Sequence, residues 1–329
     1  MTEHPSPVEA SAAAPTSRAA ASPTGEQYEL VLDEGGHVVT AVVTQVAAGI
    51  RSLAVDGASL TESFAADTAP PSACGITLVP WPNRVAQGRW TLDGAVQQLD
   101  LTEPSKGNAS HGLLRYTAYR PVDLEPHAVT LAATVFPQHG YPFQLDTEVR
   151  HELVPDGMVV THTITNVGPG RAPFAVGSHP FLRVGDHDIA TLRVELAAAT
   201  AFDVDENSIP TGTSPVAGTP RDLRGGAVVG DLDLDTTFRD IDTDAEGARR
   251  VTLTAPDGSA TEMWGDAAFS YMQVFTPRNF PRGEGQGLAV AAEPMTAPPN
   301  ALASGEGLLW LDEGATWSAS WGIRRRAAA

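Results

Sequence analysis

The stretch FQLDTEVRHELVPDGMVVTHTITNV, residues 143–167, decides how this chain folds. Phe143, Leu145, Thr147, Val149, His151 and Leu153 alternate with mostly polar neighbours, the period at which side chains share one face of a strand. Pro155-Asp156-Gly157 supplies turn chemistry, and Met158, Val160, His162 and Ile164 alternate on the way back. The pattern reads as a β-hairpin with one buried face.

Working outward, the same grammar recurs. VTLTAPDGSATEMWG (251–265) repeats strand, Pro-Asp-Gly, strand. GRWTLDGAVQQLDL (88–101) sets Asp93-Gly94 between two β-rich runs, a strong hairpin signal. YELVLDEGGHVVTAVVTQV (28–46) does the same with Gly35-Gly36. No capped segment of helical period runs beyond about two turns. The Asp/Gly-rich stretch 203–248 reads mostly as loop, with room in it for the lid or rim of a site. Residues 1–26, rich in Ala, Pro, Ser and Thr, read as a disordered tail. No fixed-period repeat and no composition break divides the rest. The expected architecture is all-β: one large antiparallel β-sandwich domain over residues 27–326.

Composition narrows the function. The 329 residues are 42% hydrophobic, enough for a sizeable core, and carry a formal net charge of −19, with Lys106 the only lysine. Such a chain is repelled by nucleic acid and by anionic membrane, so neither is an expected partner. A neutral small molecule is. Cys74 is the only cysteine, which leaves no disulfide or cysteine-based zinc site and reads as a small buried residue. No apolar run reaches membrane-spanning length, and the first residues lack the charged start and apolar run of a secretory signal. A cytoplasmic location is expected; the oligomeric state is not indicated.

Nine histidines raise the question of a metal. None falls in a helical HxxxH or Cys/His spacing, and His151 and His162 read as sheet residues rather than ligands. GEGQG (283–287) precedes a strand rather than a helix, so it reads as an inter-strand loop and not as a phosphate cradle. NAS (108–110) is a glycosylation acceptor only in a secreted protein. The stretch GLAVAAEPMTAPPNAL (287–302) is different: a buried run, Leu288 to Ala292, delivers Glu293 to its dry end, and prolines follow at 294, 298 and 299. Glu293 is either a polar residue where a strand surfaces or a carboxyl whose pKa burial raises, as suits a general base. Four further stretches hold polar residues in turns: VPWPNRVAQGRW (79–90) with Trp81, Asn83 and Arg84, SHGLLRY (110–116) with His111, VGSHPFLRVG (176–185) with His179, and DLDLDTTF (231–238) with its last acidic residue at Asp235. Singly each is an ordinary turn residue. Together they form a kit of two carboxylates, two imidazoles and a guanidinium with aromatic rings nearby, suited to a sugar with its CH faces and many hydroxyls.

The set PWPNR, HGLLR, GSHPF, DTTF and AAEPMTAPPNA, in this order, resembles the aldose 1-epimerase (galactose mutarotase) family over about residues 27–325. The resemblance implies a large antiparallel β-supersandwich with the site on its concave face, and neither cofactor nor metal. It also implies roles: Glu293 as catalytic base, His179 as catalytic acid, and Arg84, His111 and Asp235 gripping sugar hydroxyls or steadying the ring oxygen. Trp81 and Asn83 join them as substrate-binding candidates. Asp231 and Asp233 stand close to Asp235 and compete for its role. HGLLR departs from the usual His-Gly-Gly and is closer to hexose-6-phosphate epimerases of the same superfamily.

The implied reaction interconverts the α and β anomers of a hexose. Glu293 takes the C1 hydroxyl proton, a protonated His179 donates to the ring oxygen, and the open aldehyde recloses on its other face. Three alternatives stay open. They are a hexose-6-phosphate epimerase with a clamp drawn from Arg84, Arg89 and Arg115, a non-catalytic sugar-binding protein on the same fold, and a glycosidase pairing Glu293 with Asp235.

Overall fold

The computed structural model describes residues 22–282 and 285–326. The hairpin read from residues 143–167 is present, with strands Leu145–Val154 and Gly157–Asn166 paired in register from Leu145↔Asn166 to Val154↔Gly157. Its alternation is the alternation of burial: Leu145, Thr147, Val149 and His151 face inward while Asp146 and Glu148 face water. The turn glycine is required by crowding, since a Cβ at Gly157 would lie 2.0 Å from the carbonyl oxygen of Ile323.

This hairpin forms the middle of a nine-stranded sheet. On one side lie Ala128–Val135 and the edge strand Arg120–Glu125. On the other, the C-terminal strand Thr316–Arg326 inserts between Gly157–Asn166 and Ala260–Gly265, followed by Arg249–Thr254, Arg193–Leu196 and Ala227–Val228. A seven-stranded sheet runs in the order Pro210–Pro215, Ala198–Val204, Asp235–Ile241, Tyr271–Phe275, Ala291–Met295, Gly177–Ser178 and Thr77–Leu78. The pairings in both sheets are antiparallel. The two contribute to one continuous core: Val149, Leu153, Met158 and Ile164 from the first, Phe238, Met272, Val274 and Ala292 from the second. Each such burial stabilises the fold by about 1.5–3 kcal/mol against exposure. The architecture is the all-β antiparallel supersandwich expected. The hairpins at Gly35-Gly36, Asp93-Gly94 and Pro256-Asp257-Gly258 are present as well. Helix is confined, among the described residues, to Ala301–Ser304 and three single 3-10 turns.

His162 is a core residue whose Nε2 accepts from Trp321 Nε1 at 3.0 Å, and His151 is equally buried. Cys74 is buried, as expected.

Three expectations change in whole or in part. Residues 203–248 are mostly turn and loop, as expected, but they also hold the strands Pro210–Pro215, Ala227–Val228 and Asp235–Ile241. Pro210–Pro215 is the outermost strand of its sheet, and an edge strand with half-exposed residues carries no apolar alternation to announce it. Of the tail, residues 1–21 lie outside the described region, but Ser22–Glu26 is folded: Val46 N donates to Thr24 O and Gln45 N to Glu26 O. The third change concerns Glu293, which stands in the middle of Ala291–Met295 rather than at a strand end. Pro294 is tolerated there because that flank is sparsely bonded: Ala292 N reaches Pro180 O and Thr296 N reaches Val176 O, so Pro294 lacks only the donor between them. Residues 283–284 of GEGQG are outside the described region, and its remainder pairs with Phe280–Arg282.

Candidate active site

Three adjacent strands set a row of polar side chains into the seven-stranded sheet, Thr237 opposite Gln273 and Gln273 opposite Glu293. His179 joins through register. Gly177 pairs with Met295, so the antiparallel relation carried on by two residues brings His179 to Glu293. Its Nε2 stands 3.3 Å from Glu293 Oε1, and its ring stacks on Phe181 at 5.3 Å between centroids. The strand approaches its neighbours too closely for a side chain at Gly177, where a Cβ would fall 2.8 Å from Pro82 Cβ.

A second group arrives on two turns that brace one another. Asn83 and His111 both adopt positive φ, 54° and 63°, and His111 N donates to Asn83 O at 2.8 Å. Gly112 is the residue that permits this, with φ 71° and no room for a Cβ against Val79 O. Beyond the turns Arg84 pairs with Ser110 across a short ladder. Asn300, from the segment after Glu293, donates N to Arg84 O at 2.6 Å and accepts from Ala86 N at 3.0 Å. The His111 ring meets His179 edge-on at 5.5 Å.

Glu293, His179, Asn83, Arg84 and His111 line one open cavity of about 500 Å³, together with Glu103, Ser110, Arg115, Tyr116, Asp235, Phe275 and Asn279. Of the residues proposed from sequence, Glu293, His179, Arg84, His111, Asp235 and Asn83 are brought together here. Asp235 lines the cavity, whereas Asp231 and Asp233 do not. Trp81 is a correction: it is buried in the core against Tyr141, ring centroids 6.1 Å apart, and lies off the cavity wall. The turn that presents Asn83 points the preceding tryptophan inward. Arg89 is also outside, on a surface hairpin where it donates to Gln98.

Sequence reasoning missed two residues that organise the charges. Glu103 takes Arg84 in a bidentate pair, 2.8 and 3.1 Å, while Arg84 Nη1 reaches Asp235 Oδ2 at 3.5 Å. Nothing in TEPSKGN marks that glutamate. Gln273 donates Nε2 to Asp235 Oδ1 at 2.6 Å and accepts from Thr237 Oγ1. A glutamine inside the apolar run YMQVF was a usable signal, because a buried amide needs partners.

Burial governs the protonation of this site. Desolvation pushes the Glu293 carboxyl well above its ordinary range, and the charge of Asp235 adds to it while Arg84 opposes. Desolvation pulls His179 down to about 4, with Arg115 and Arg84 contributing in the same direction. His111 is held well below its usual value, by burial first and then by His179 and the two arginines. Burial thus disfavours charge on both members of the His179–Glu293 pair, holding the imidazole toward its neutral form and the carboxyl toward its protonated one. Burial opposes the charge of Arg84, but Glu103 and Asp235 together hold its pKa above the ordinary value. Glu293 Oε2, His179 Nδ1 and His111 Nδ1 make no hydrogen bond within the protein, and all three residues line the cavity. Among the described residues, no group of three or more His, Cys, Asp or Glu side chains is placed to hold a metal ion.

Fold and site together define an antiparallel β-sandwich protein with a buried His–Glu pair at an open polar pocket. The chain belongs to the aldose 1-epimerase family, whose sequence pattern matches residues 29–324. It is 32% identical over 276 residues to YihR, an uncharacterized protein of Escherichia coli K12, covering 83% of this chain and 86% of that one. Rat galactose mutarotase matches at 31% over 150 residues, 43% of this chain and 42% of that enzyme. Among solved structures, a Caenorhabditis elegans GalM/aldose epimerase homologue superposes with a TM-score of 0.79 at 17% identity, covering 92% of this chain and 99% of that one. Galactose 1-epimerase from Lactobacillus acidophilus does so at 0.72 and 17%, with the same coverage. At these identities the likeness speaks to the fold. No helix among the described residues is long and apolar enough to cross a membrane.

Proposed function

We propose that this protein is an aldose 1-epimerase that interconverts the α and β anomers of a hexose without a cofactor. The observation that carries the reading is the His179–Glu293 pair, 3.3 Å apart and buried at the base of the cavity. Ring opening needs one group to take a proton from the C1 hydroxyl and another to give one to the ring oxygen. A pair that shares one proton supplies both when that proton sits on His179: the Glu293 carboxylate accepts from O1–H, the C1–O5 bond breaks, and the imidazolium donates to O5. The products are an aldehyde at C1 and a hydroxyl at C5, with Glu293 protonated and His179 neutral. Burial disfavours charge on both groups, so it favours this neutral distribution of the open-chain stage. Rotation about C1–C2 and reversal of the two transfers close the other anomer. Positioned acid and base groups contribute about 10²–10⁴-fold. Arg84, His111, Asp235 and Asn83 are assigned to the sugar hydroxyls and ring oxygen.

Polarimetry on freshly dissolved α-D-glucose and α-D-galactose tests the proposal, with wild type and Glu293→Gln side by side. Acceleration by wild type alone is expected, and equal rates with both proteins would defeat it.

A second reading concerns the substrate. Arg115 lines the cavity, donates only to Ser110 O and Tyr116 Oη, leaves its buried Nε without a partner, and has no ion-pair partner among the described residues. Arg84, by contrast, is already paired with two carboxylates. A hexose 6-phosphate would engage Arg115. Comparing rates on glucose and glucose 6-phosphate, with wild type and Arg115→Gln, separates the two readings: only a phosphorylated substrate loses its rate selectively in the variant.

A further inference from the structure

Part of the cavity lining beyond the carboxylates, imidazoles and arginines is built differently. Pro23, Val46, Ala69, Pro70, Ala73 and Ile76 make it apolar apart from Ser72. One of these, Pro23, comes from a segment far from the others in sequence and is carried there by a short strap, Ser22 to Glu26.

The strap is anchored as folded structure. Gly25 N closes a turn on Ser22 O at 3.0 Å. Thr24 is fully buried, its carbonyl accepts from Val46 N at 2.9 Å, and its Oγ1 accepts from Gln27 Nε2 at 2.9 Å. Ser22 Oγ donates to Ala66 O at 2.5 Å, tying the strap to the loop that leads to Ala69 and Pro70. Gly25 sits at φ 73°, and a Cβ there would meet the Gln45 side chain at 2.3 Å. A turn closed by a left-handed glycine and held at both ends fixes the Pro23 ring in place.

We infer that Ser22–Gly25 is a substrate-specificity element, with Pro23 completing the wall against which an apolar CH face of the sugar packs. The inference rests on the proposed hexose site. The strap holds no acid, base or charge against the cavity, so its contribution is to binding: it acts on the ground state and transition state alike. Loss of such uniform binding raises KM and leaves kcat in place.

Three variants test it, read by mutarotation kinetics on α-D-galactose and α-D-glucose and by thermal unfolding. Deletion of residues 1–21 keeps the strap and leaves KM unchanged. Pro23→Gly, and deletion of residues 1–25, raise KM with kcat retained. A rise of about threefold to tenfold is expected, the scale of a few methylenes on a half-open wall. Pro23→Gly also keeps the measurement decisive if the longer deletion fails to fold. KM equal to wild type in Pro23→Gly overturns the inference, and so does an equal rise on deleting residues 1–21. If wild type epimerises neither sugar, the proposed reaction fails instead. The strap is then judged by calorimetric titration with D-galactose, where a weaker Kd in Pro23→Gly supports it and an unchanged Kd overturns it.

Discussion

Nε2 of His179 lies 3.3 Å from Oε1 of Glu293, with both side chains buried at the wall of an open cavity. Burial disfavours the charged form of each, so their titrations are coupled and belong to the pair rather than to either residue.

Replacing Glu293 by glutamine removes the group that accepts the C1 proton while keeping shape and hydrogen-bonding capacity. Catalysed mutarotation is expected to fall by about 10²–10⁴-fold. Stability moves the other way. Because the folded pKa of Glu293 is raised, the unfolded chain releases that proton first as pH rises, and stability is lost toward alkaline pH. The amide has no proton to lose. Melting curves of Glu293→Gln are expected to lie above wild type at pH 7–8 and to converge with it toward pH 4. A variant that melts lower throughout would contradict the assigned protonation.

The rate should follow a bell in pH. On the acid side the pair gains a second proton as pH falls through about 4, the value to which burial holds His179. On the alkaline side it loses its only proton above the ordinary carboxyl range, where Glu293 is held. An acid limb centred near 6.5 would mean that His179 is solvated in the working enzyme.

Acid unfolding has the same origin. His151 and His162, buried and held neutral, are depressed to about 3, and His179 to about 4. Between pH 6.5 and these values the unfolded chain binds protons that the folded chain refuses. The contribution of these histidines is therefore complete above pH 6.5 and declines progressively as pH falls toward 3. Urea titrations across that window are expected to show the decline, and His162→Gln should make it shallower.

Gln273 is expected to matter to the reaction without touching its acid or base. Its amide fixes Asp235 Oδ1 and is itself oriented by Thr237. In Gln273→Leu, Asp235 loses that donor, at a cost of about 1–3 kcal/mol for a partner left unsatisfied. A loss of kcat/KM on the order of tenfold is expected, with Gln273→Glu no better, since a carboxylate would repel Asp235. Wild-type kinetics in the leucine variant would remove the residue from the site.

Gly157 offers a test of the fold alone. Gly157→Ala drives a methyl into Ile323 O, and is expected to destabilise by about 2–4 kcal/mol. The lower Tm should come without loss of activity per folded molecule, because the hairpin end lies off the cavity.

Much of this was legible in the sequence because alternation is local. Leu145 through Ile164 announce their own face, and Asp93-Gly94 and Pro155-Asp156-Gly157 announce their own turns. Pro210–Pro215 did not, since an edge strand needs no apolar side. The family motifs carried Glu293, His179, Arg84, His111, Asp235 and Asn83 to one cavity. Trp81 went astray because a motif does not say which way a side chain points between two prolines.

By itself the sequence determined the class of fold, the hairpins and the chemical kit, all consequences of residue type and short-range spacing. Only the tertiary structure decided that burial disfavours charge on His179 and Glu293, that Glu103 and Gln273 steer Arg84 and Asp235, and that Pro23 forms part of the wall. Each depends on groups far apart in the chain meeting in a space from which water is excluded, and desolvation and charge pairing act through distance in space, not along the sequence.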